Sequence, residues 1–250
     1  MQNKEIIAFN KNMDAVIKNN KECLSLLKFK GNWRSYQKRV LDELDYHLDD
    51  KKLNVAAAPG AGKTTLGIEV IVRLGQNTLI LAPSITIKNQ WKQRITENFL
   101  PDNVETDKIS TDLKNISEIT ISTYQALHSL YKDNKERINF IKKLKDLNIN
   151  TLVLDEAHHL RQQWYATLNK LVKELYNKDF RVVSLTGTPP YDVTPYEWEN
   201  YYSLCGPVDA EISIPELVKS GDLCPHQDLI YLSYYLHLFY LSRILSLLLL

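Results

Sequence analysis

Beyond Gly31 the chain alternates short apolar runs with longer stretches of helical period. Leu53–Ala57, Thr78–Ala82, Ile119–Ser122, Thr151–Leu154 and Arg181–Leu185 are brief and lack the polar alternation of a half-exposed strand. Such runs predict strands buried on both faces. Between them Lys63–Leu74, Thr86–Phe99, the residues from Ser122 through Lys145, and Gln162–Tyr176 predict helices. Short strands separated by helices predict an α/β fold, with a mostly parallel sheet and helices on both of its faces. Residues 101–118 are polar and weakly patterned, which predicts a surface excursion.

The two ends read differently. In the first 30 residues Ile6, Phe9, Met13 and Ile17 recur at helical spacing, with Lys4, Lys11 and Lys18 on another side. This predicts an amphipathic helical segment packed at the domain edge. Glu5, Asp14 and Glu22 dilute the positive charge, against a lipid-surface helix. Residues 31–228 form the patterned domain. Leu229–Leu250 is dense in Leu and Tyr, with Arg243 its one formal charge. At about 1.5 Å per residue a helix of this length would span a bilayer. Tyr, Ser and His interrupt the run, however, and its apolar residues mark no single docking face. The expectation is a tail left by truncation or frameshift, outside the core, ahead of the alternatives of a membrane anchor and of a packed or partner-binding helix.

Composition narrows the classes. Hydrophobic residues make up 44% and charged residues 24%, which suits a globular domain rather than a disordered one. Lys and Arg number 31 against 30 Asp and Glu, so a polycation is excluded and any nucleic acid must be held by local sites. Cys23, Cys205 and Cys224 are widely spaced and form neither a zinc pattern nor a disulfide framework. A reducing, cytoplasmic setting is the default expectation. The charged start of the chain is no secretory signal.

Two segments carry candidate chemistry. The strand ending at Ala57 runs into Ala58-Pro59-Gly60-Ala61-Gly62-Lys63-Thr64-Thr65 and then a helix. Glycines let several backbone N–H groups converge on phosphate oxygens, and the helix N-terminus adds partial positive charge. Lys63 can reach the outer phosphates, and the Thr64 hydroxyl can ligate Mg²⁺. The second segment, Asp155-Glu156-Ala157-His158-His159, follows an apolar strand. In an open α/β sheet the ends of strands face the ligand crevice. Asp155 suits a Mg²⁺ held through water, and Glu156 suits orienting or deprotonating an attacking water. His158 and His159 lack the further ligands a zinc site needs.

With these residues in place, the chain resembles the superfamily 2 helicases and translocases with a DEAH box, in their restriction-enzyme and DNA-repair branch. The resemblance covers about residues 31–230, and it implies the first of two RecA-like lobes. Ala57–Thr64 is similar to the helicase phosphate loop, with Ala57 where the generic pattern has Gly. Asp155-Glu156-Ala157-His158 is the DEAH box. Ser184-Leu185-Thr186-Gly187-Thr188-Pro189-Pro190 resembles the family's third motif, implying that His158, Thr186 and Thr188 couple nucleotide state to the bound strand. Trp33-Arg34-Ser35-Tyr36-Gln37 resembles the adenine-reading segment, with Gln37 the base contact. Leu81 through Trp91, with Pro83, Ser84 and Gln90, and Ile121 through Gln125, with Ser122, Thr123 and Gln125, resemble two nucleic-acid-contacting motifs. Taken alone, those hydroxyls could equally be caps at strand ends. The resemblance implies ATP and Mg²⁺ as cofactors, DNA as partner, and a second lobe that supplies arginines to the γ-phosphate. That second lobe's motifs are not in this sequence. Slow hydrolysis by the isolated chain is therefore expected. The alternative is a non-catalytic nucleotide- or nucleic-acid-binding module that works with a partner chain.

Overall fold

The computed structural model describes residues 23–102, 104, 107–160 and 162–224. Most of the N-terminal amphipathic segment and the whole of Leu229–Leu250 lie outside the described residues. Among those described, no helix is long and apolar enough to cross a membrane.

The strands are β1 (Lys52–Ala57), β2 (Thr78–Ala82), β3 (Ile109–Ser110), β4 (Ile119–Thr123), β5 (Thr151–Asp155), β6 (Arg181–Thr186) and β7 (Ala210–Ile212). They form one sheet in the order β3-β4-β2-β5-β6-β1-β7. Every pairing in it is parallel. The helices are α1 (Cys23–Leu26), α2 (Ser35–Leu44), α3 (Lys63–Leu74), α4 (Ile85–Asn98), α5 (Tyr124–Leu130), α6 (Asn134–Asp146), α7 (Gln162–Leu175), α8 (Pro195–Cys205) and α9 (Ile214–Lys219).

Neighbouring residues in a strand point to opposite faces, and here both faces are apolar. Ile80, Val153, Val183 and Leu185 join one core with Leu41 of α2, Leu66 and Ile71 of α3, and Trp91 of α4. Leu79, Leu81, Leu152, Leu154 and Val182 join the other, with Leu127 of α5, Phe140 of α6, Leu168 of α7 and Leu204 of α8. This two-sided burial is why the central strands read as unbroken apolar runs.

The predicted strands and helices recur with small shifts of their ends, and the differences have local causes. The helical stretches expected after β4 are two helices. Asp133 starts the second by accepting hydrogen bonds from the Lys135 and Glu136 N–H groups. Strands β3 and β7 went unpredicted because two or three residues carry no period. Helices α2, α8 and α9 carry no sequence expectation, although α8 and α9 both open on a hydroxyl cap, a proline and a glutamate. Thr194 accepts from the Glu197 N–H, and Ser213 from the Glu216 N–H. Helix α8 is tied to the sheet through buried Asn54 of β1, whose amide donates to Tyr201 Oη and to the Gly206 carbonyl, both at 3.2 Å.

Sheet order decides where the motifs meet. β1, β6 and β5 are adjacent, so the phosphate loop, the Thr186 turn and the acidic box emerge side by side at one rim. β2 and β4 continue that rim on the far side of β5, with Ala82 beside Thr123. Helix α3 lies close against β6 and α4 because Gly67 has no side chain. A Cβ there would stand 2.6 Å from Leu185 Cδ1 and 2.7 Å from Trp91 Cη2. Overpacking of this kind costs about 1–3 kcal/mol, and a domain of this size loses about 2–4 °C per kcal/mol. Gly67→Val is therefore expected to melt several degrees lower in calorimetry. An unchanged melting temperature would show that α3 is not seated this closely.

Candidate active site

After β1 the chain turns through Ala58–Gly62 and enters α3 at Lys63. Gly60 and Gly62 have φ of +88° and +86°, the left-handed region that side chains disfavour. Gly62 is also crowded, because a Cβ on it would lie 2.5 Å from Gln37 Nε2. No side chain caps the start of α3, which leaves its first N–H groups facing whatever fills the loop. Pro59 and Gly60 are exposed, Ala61 and Thr65 buried, and Thr64 half-buried.

Gln37 is buried at the loop's edge. Its Nε2 donates to the Ala61 carbonyl at 2.9 Å, and its Oε1 accepts from the Arg34 N–H at 3.1 Å. One amide hydrogen and one lone pair remain for a base edge.

The acidic box faces the loop across β6. Lys63 Nζ lies 3.0 Å from Glu156 Oε1. Glu156 has φ +51°, a left-handed conformation for a residue with a side chain. Such a backbone carries about 1–3 kcal/mol of strain and is over-determined by its surroundings. Here the Glu156 N–H donates to Asp155 Oδ1 at 3.0 Å, and the His159 N–H donates to the Glu156 carbonyl at 2.9 Å.

Asp155 is 3% exposed. Burial raises its pKa most; the Trp91 hydrogen bond opposes this, and the net result is about 6. Its Oδ2 accepts from Trp91 Nε1 at 2.7 Å, and its backbone carbonyl accepts from Tyr124 Oη at 2.8 Å. Neither aromatic was singled out in the sequence, though both lie inside the motif segments. Their signal is chemical: a buried indole or phenol needs a polar partner for its tip.

The third motif closes the group. Thr186 Oγ1 donates to the Thr188 carbonyl at 3.0 Å and lies 2.7 Å from His158 Nδ1. With its own hydrogen committed, Thr186 accepts from the imidazole, which places the His158 proton on Nδ1. That nitrogen also lies 3.5 Å from Glu156 Oε2. Burial, and then the neighbouring His159, lower the His158 pKa. Gly187 leaves an open space beside Lys63 Nζ and Glu156 Oε2, where a Cβ would come within 3.5 and 3.9 Å. Thr188 enters this network through its carbonyl.

The remaining candidates lie on the β2 and β4 side. Ser84 Oγ caps α4 by accepting from the Ile87 N–H at 3.3 Å, and Thr123 Oγ1 caps α5 by accepting from the Ala126 N–H at 3.1 Å. A groove of about 450 Å³ brings Ser122 and Thr123 together with Ile85, Lys88 and Thr111. Pro83 is half-buried, and Gln90 and Gln125 are exposed. They lie outside the Lys63–Glu156–His158–Thr186 group.

The buried carboxylate gives a pH signature. An unfolded aspartate titrates near about 3.9, whereas Asp155 titrates near about 6 in the folded chain. The folded state holds this proton more tightly. The stability it contributes is complete in acid and lost as pH rises through about 6. Asp155→Asn removes the titration. In metal-free buffer the variant should gain on the wild type by several degrees of melting temperature between pH 5 and pH 8, about 1.4 kcal/mol. Parallel melting curves against pH would exclude Asp155 as the titrating group.

The profile of the family described as "Type III restriction enzyme, res subunit" matches residues 30–191. The DNA 3'-5' translocase XPB2 of Sulfurisphaera tokodaii is 26% identical over 192 residues, which are 77% of this chain and 38% of that protein. Among solved structures, the Sulfolobus solfataricus SWI2/SNF2 ATPase core in complex with dsDNA aligns with TM-score 0.52 and 22% identity, over 74% of this chain and 38% of that one. A nuclease-deletion mutant of the Type ISP restriction-modification enzyme LlaGI, with a DNA substrate mimic, aligns with TM-score 0.54 and 17% identity, over 77% and 21%. The chain thus spans well under half the length of each. The fold is that of the first RecA-like lobe of superfamily 2 helicases. With the profile matched from the Gln37 segment through the Thr186 turn, this chain belongs to the type III restriction enzyme res subunit family.

Proposed function

We propose that this lobe binds ATP with Mg²⁺ and carries the hydrolytic half of a DNA-directed motor. The observation that carries the reading is the pairing of Lys63 with Glu156 at 3.0 Å, on strand ends separated by one strand. A cation for phosphate and a carboxylate for water share one space, beneath a glycine at 187.

The residues suit the metal. Asp155 keeps a buried carboxylate whose hydrogen-bond partners are N–H groups, and Thr64 offers a hydroxyl at the loop. These two would hold Mg²⁺, which when bound neutralises charge on the phosphates. The loop N–H groups and Lys63 bind the phosphate chain, and Gln37 contacts the base. Glu156 orients a water toward the γ-phosphorus and takes its proton. The water oxygen forms the new P–O bond as the bond to ADP breaks. The His158–Thr186 bond carries the change on β5 to β6 and the Thr188 turn.

DNA as partner is supported by the translocase and dsDNA-bound proteins that this chain resembles. Helix N-termini and hydroxyls at Ser84 and Thr123 suit phosphate contacts that read no base. We place a second RecA-like lobe opposite this face as the source of arginine. Among the described residues, the arginine ion pairs go to acids other than Glu156 and Asp155. A reducing cytoplasm suits buried Cys205, whose thiol is pushed up to about 12 by burial.

Titration calorimetry with ATP and Mg²⁺ should show binding that Lys63→Ala weakens at least tenfold. Glu156→Gln should keep that binding and lose phosphate release, measured with and without duplex DNA. Equal binding by the lysine variant would remove the phosphate loop from its role. Binding by the wild type without turnover, even with DNA and a second lobe supplied, would favour a non-catalytic module.

A further inference from the structure

Trp91 heads the large side chains that are fully buried among the described residues, and it has no part in the functions assigned above. It lies on α4, beyond the Ser84 cap. Its Nε1 donates to Asp155 Oδ2 at 2.7 Å across 64 positions of sequence. Its ring fills the space left by Gly67 of α3. One indole therefore touches the helix behind the phosphate loop, the end of β5, and the helix that starts beside the Ser122–Thr123 groove.

Asp155 is held from the opposite core as well, where Tyr124 Oη fixes its backbone carbonyl at 2.8 Å. Tyr124 follows the Thr123 cap directly. The two elements that face the groove thus each send one aromatic to the same residue. The carboxylate Oδ1 takes the Glu156 N–H at 3.0 Å. Trp91 is the side chain that determines where Oδ2 points.

We propose that Trp91 is a positioning residue for the cation-binding carboxylate: its indole N–H fixes the Asp155 side chain, and its seat on α4 ties that side chain to the groove face. The proposal rests on the reading of Asp155 as the Mg²⁺ carboxylate. A hydrogen bond to a charged, buried acceptor is among the strong ones. Trp91→Phe keeps most of the ring and deletes the N–H, leaving Oδ2 unpartnered and free to rotate.

The test uses the full chain with ADP as probe, which binds without turnover. The Mg²⁺ concentration giving half of the metal-dependent gain in ADP affinity should rise by roughly ten- to a hundredfold in Trp91→Phe. Metal-free ADP affinity should stay at the wild-type value, which a merely destabilised lobe would not manage. In Asp155→Ala, which removes the acceptor, the further change Trp91→Phe should shift nothing, because its target is gone. An unchanged Mg²⁺ midpoint in Trp91→Phe overturns the proposal.

A second measurement stands even if that variant fails to fold. The chain has four tryptophans. In the ¹⁵N-labelled wild type, one indole N–H resonance should move when Mg²⁺ is added, and the same one should move in Asp155→Ala, which deletes the acceptor. If Asp155→Ala leaves all indole resonances in place, the hydrogen bond is absent and the proposal fails. That arm needs no nucleotide. Failure of the wild type to bind ADP would instead sink the nucleotide reading, so the two failures are distinguishable.

Discussion

A carboxylate buried at a strand end and held by N–H donors is the constraint around which this lobe is arranged. Asp155 lies at the end of a strand with neighbours on both sides and a core on each face. In such a place an acid survives as an anion only if donors are supplied. Trp91 and the Glu156 N–H supply them, and the remaining desolvation still raises the pKa to about 6. Several features follow from meeting that need. The indole must be buried to reach Oδ2, and Gly67 must be bare to admit the indole. Glu156 must take a left-handed backbone to bring its N–H back onto Oδ1 while its side chain turns toward Lys63.

Strand order does the rest. Had β1 paired directly with β5, the Thr186 turn would have no seat between the loop and the acidic box. With β6 inserted, His158 meets Thr186 and Gly187 sits over the Lys63–Glu156 pair. On the other side of β5, β2 and β4 end in capped helices beside an open groove. The acid therefore stands midway along a rim, with the glycine loop on one side and the capped helices and groove on the other. No long-range wire is needed between Asp155 and the groove, because α4 and α5 each touch both.

The central sheet was legible because doubly buried strands leave a contiguous apolar signature, and the glycines at 60 and 62 mark a turn that other residues resist. Lys63, Asp155 and Glu156 were legible from spacing joined to strand-helix context. The edges were not. β3 and β7 are too short to carry a period and take their register from neighbours. Trp91 and Tyr124 escaped for a different reason. A lone aromatic on a helix looks like core, and here both are core. What the sequence cannot display is that each also places one polar atom on the same distant residue. The hydroxyls of Ser84 and Thr123 stood between two readings from the start. Both are seen acting as helix caps, which leaves their own hydrogens available to a phosphate.

The Lys63–Glu156 pair has a consequence for whatever enters the phosphate loop. On the roles proposed above, the carboxylate that activates water is held by the ammonium at 3.0 Å. A phosphate that draws Lys63 away exposes that carboxylate at the same moment. Arrival of substrate and arming of the base then become one event. A single ion pair across two strand ends thus behaves as a safety catch whose release requires the reactant itself.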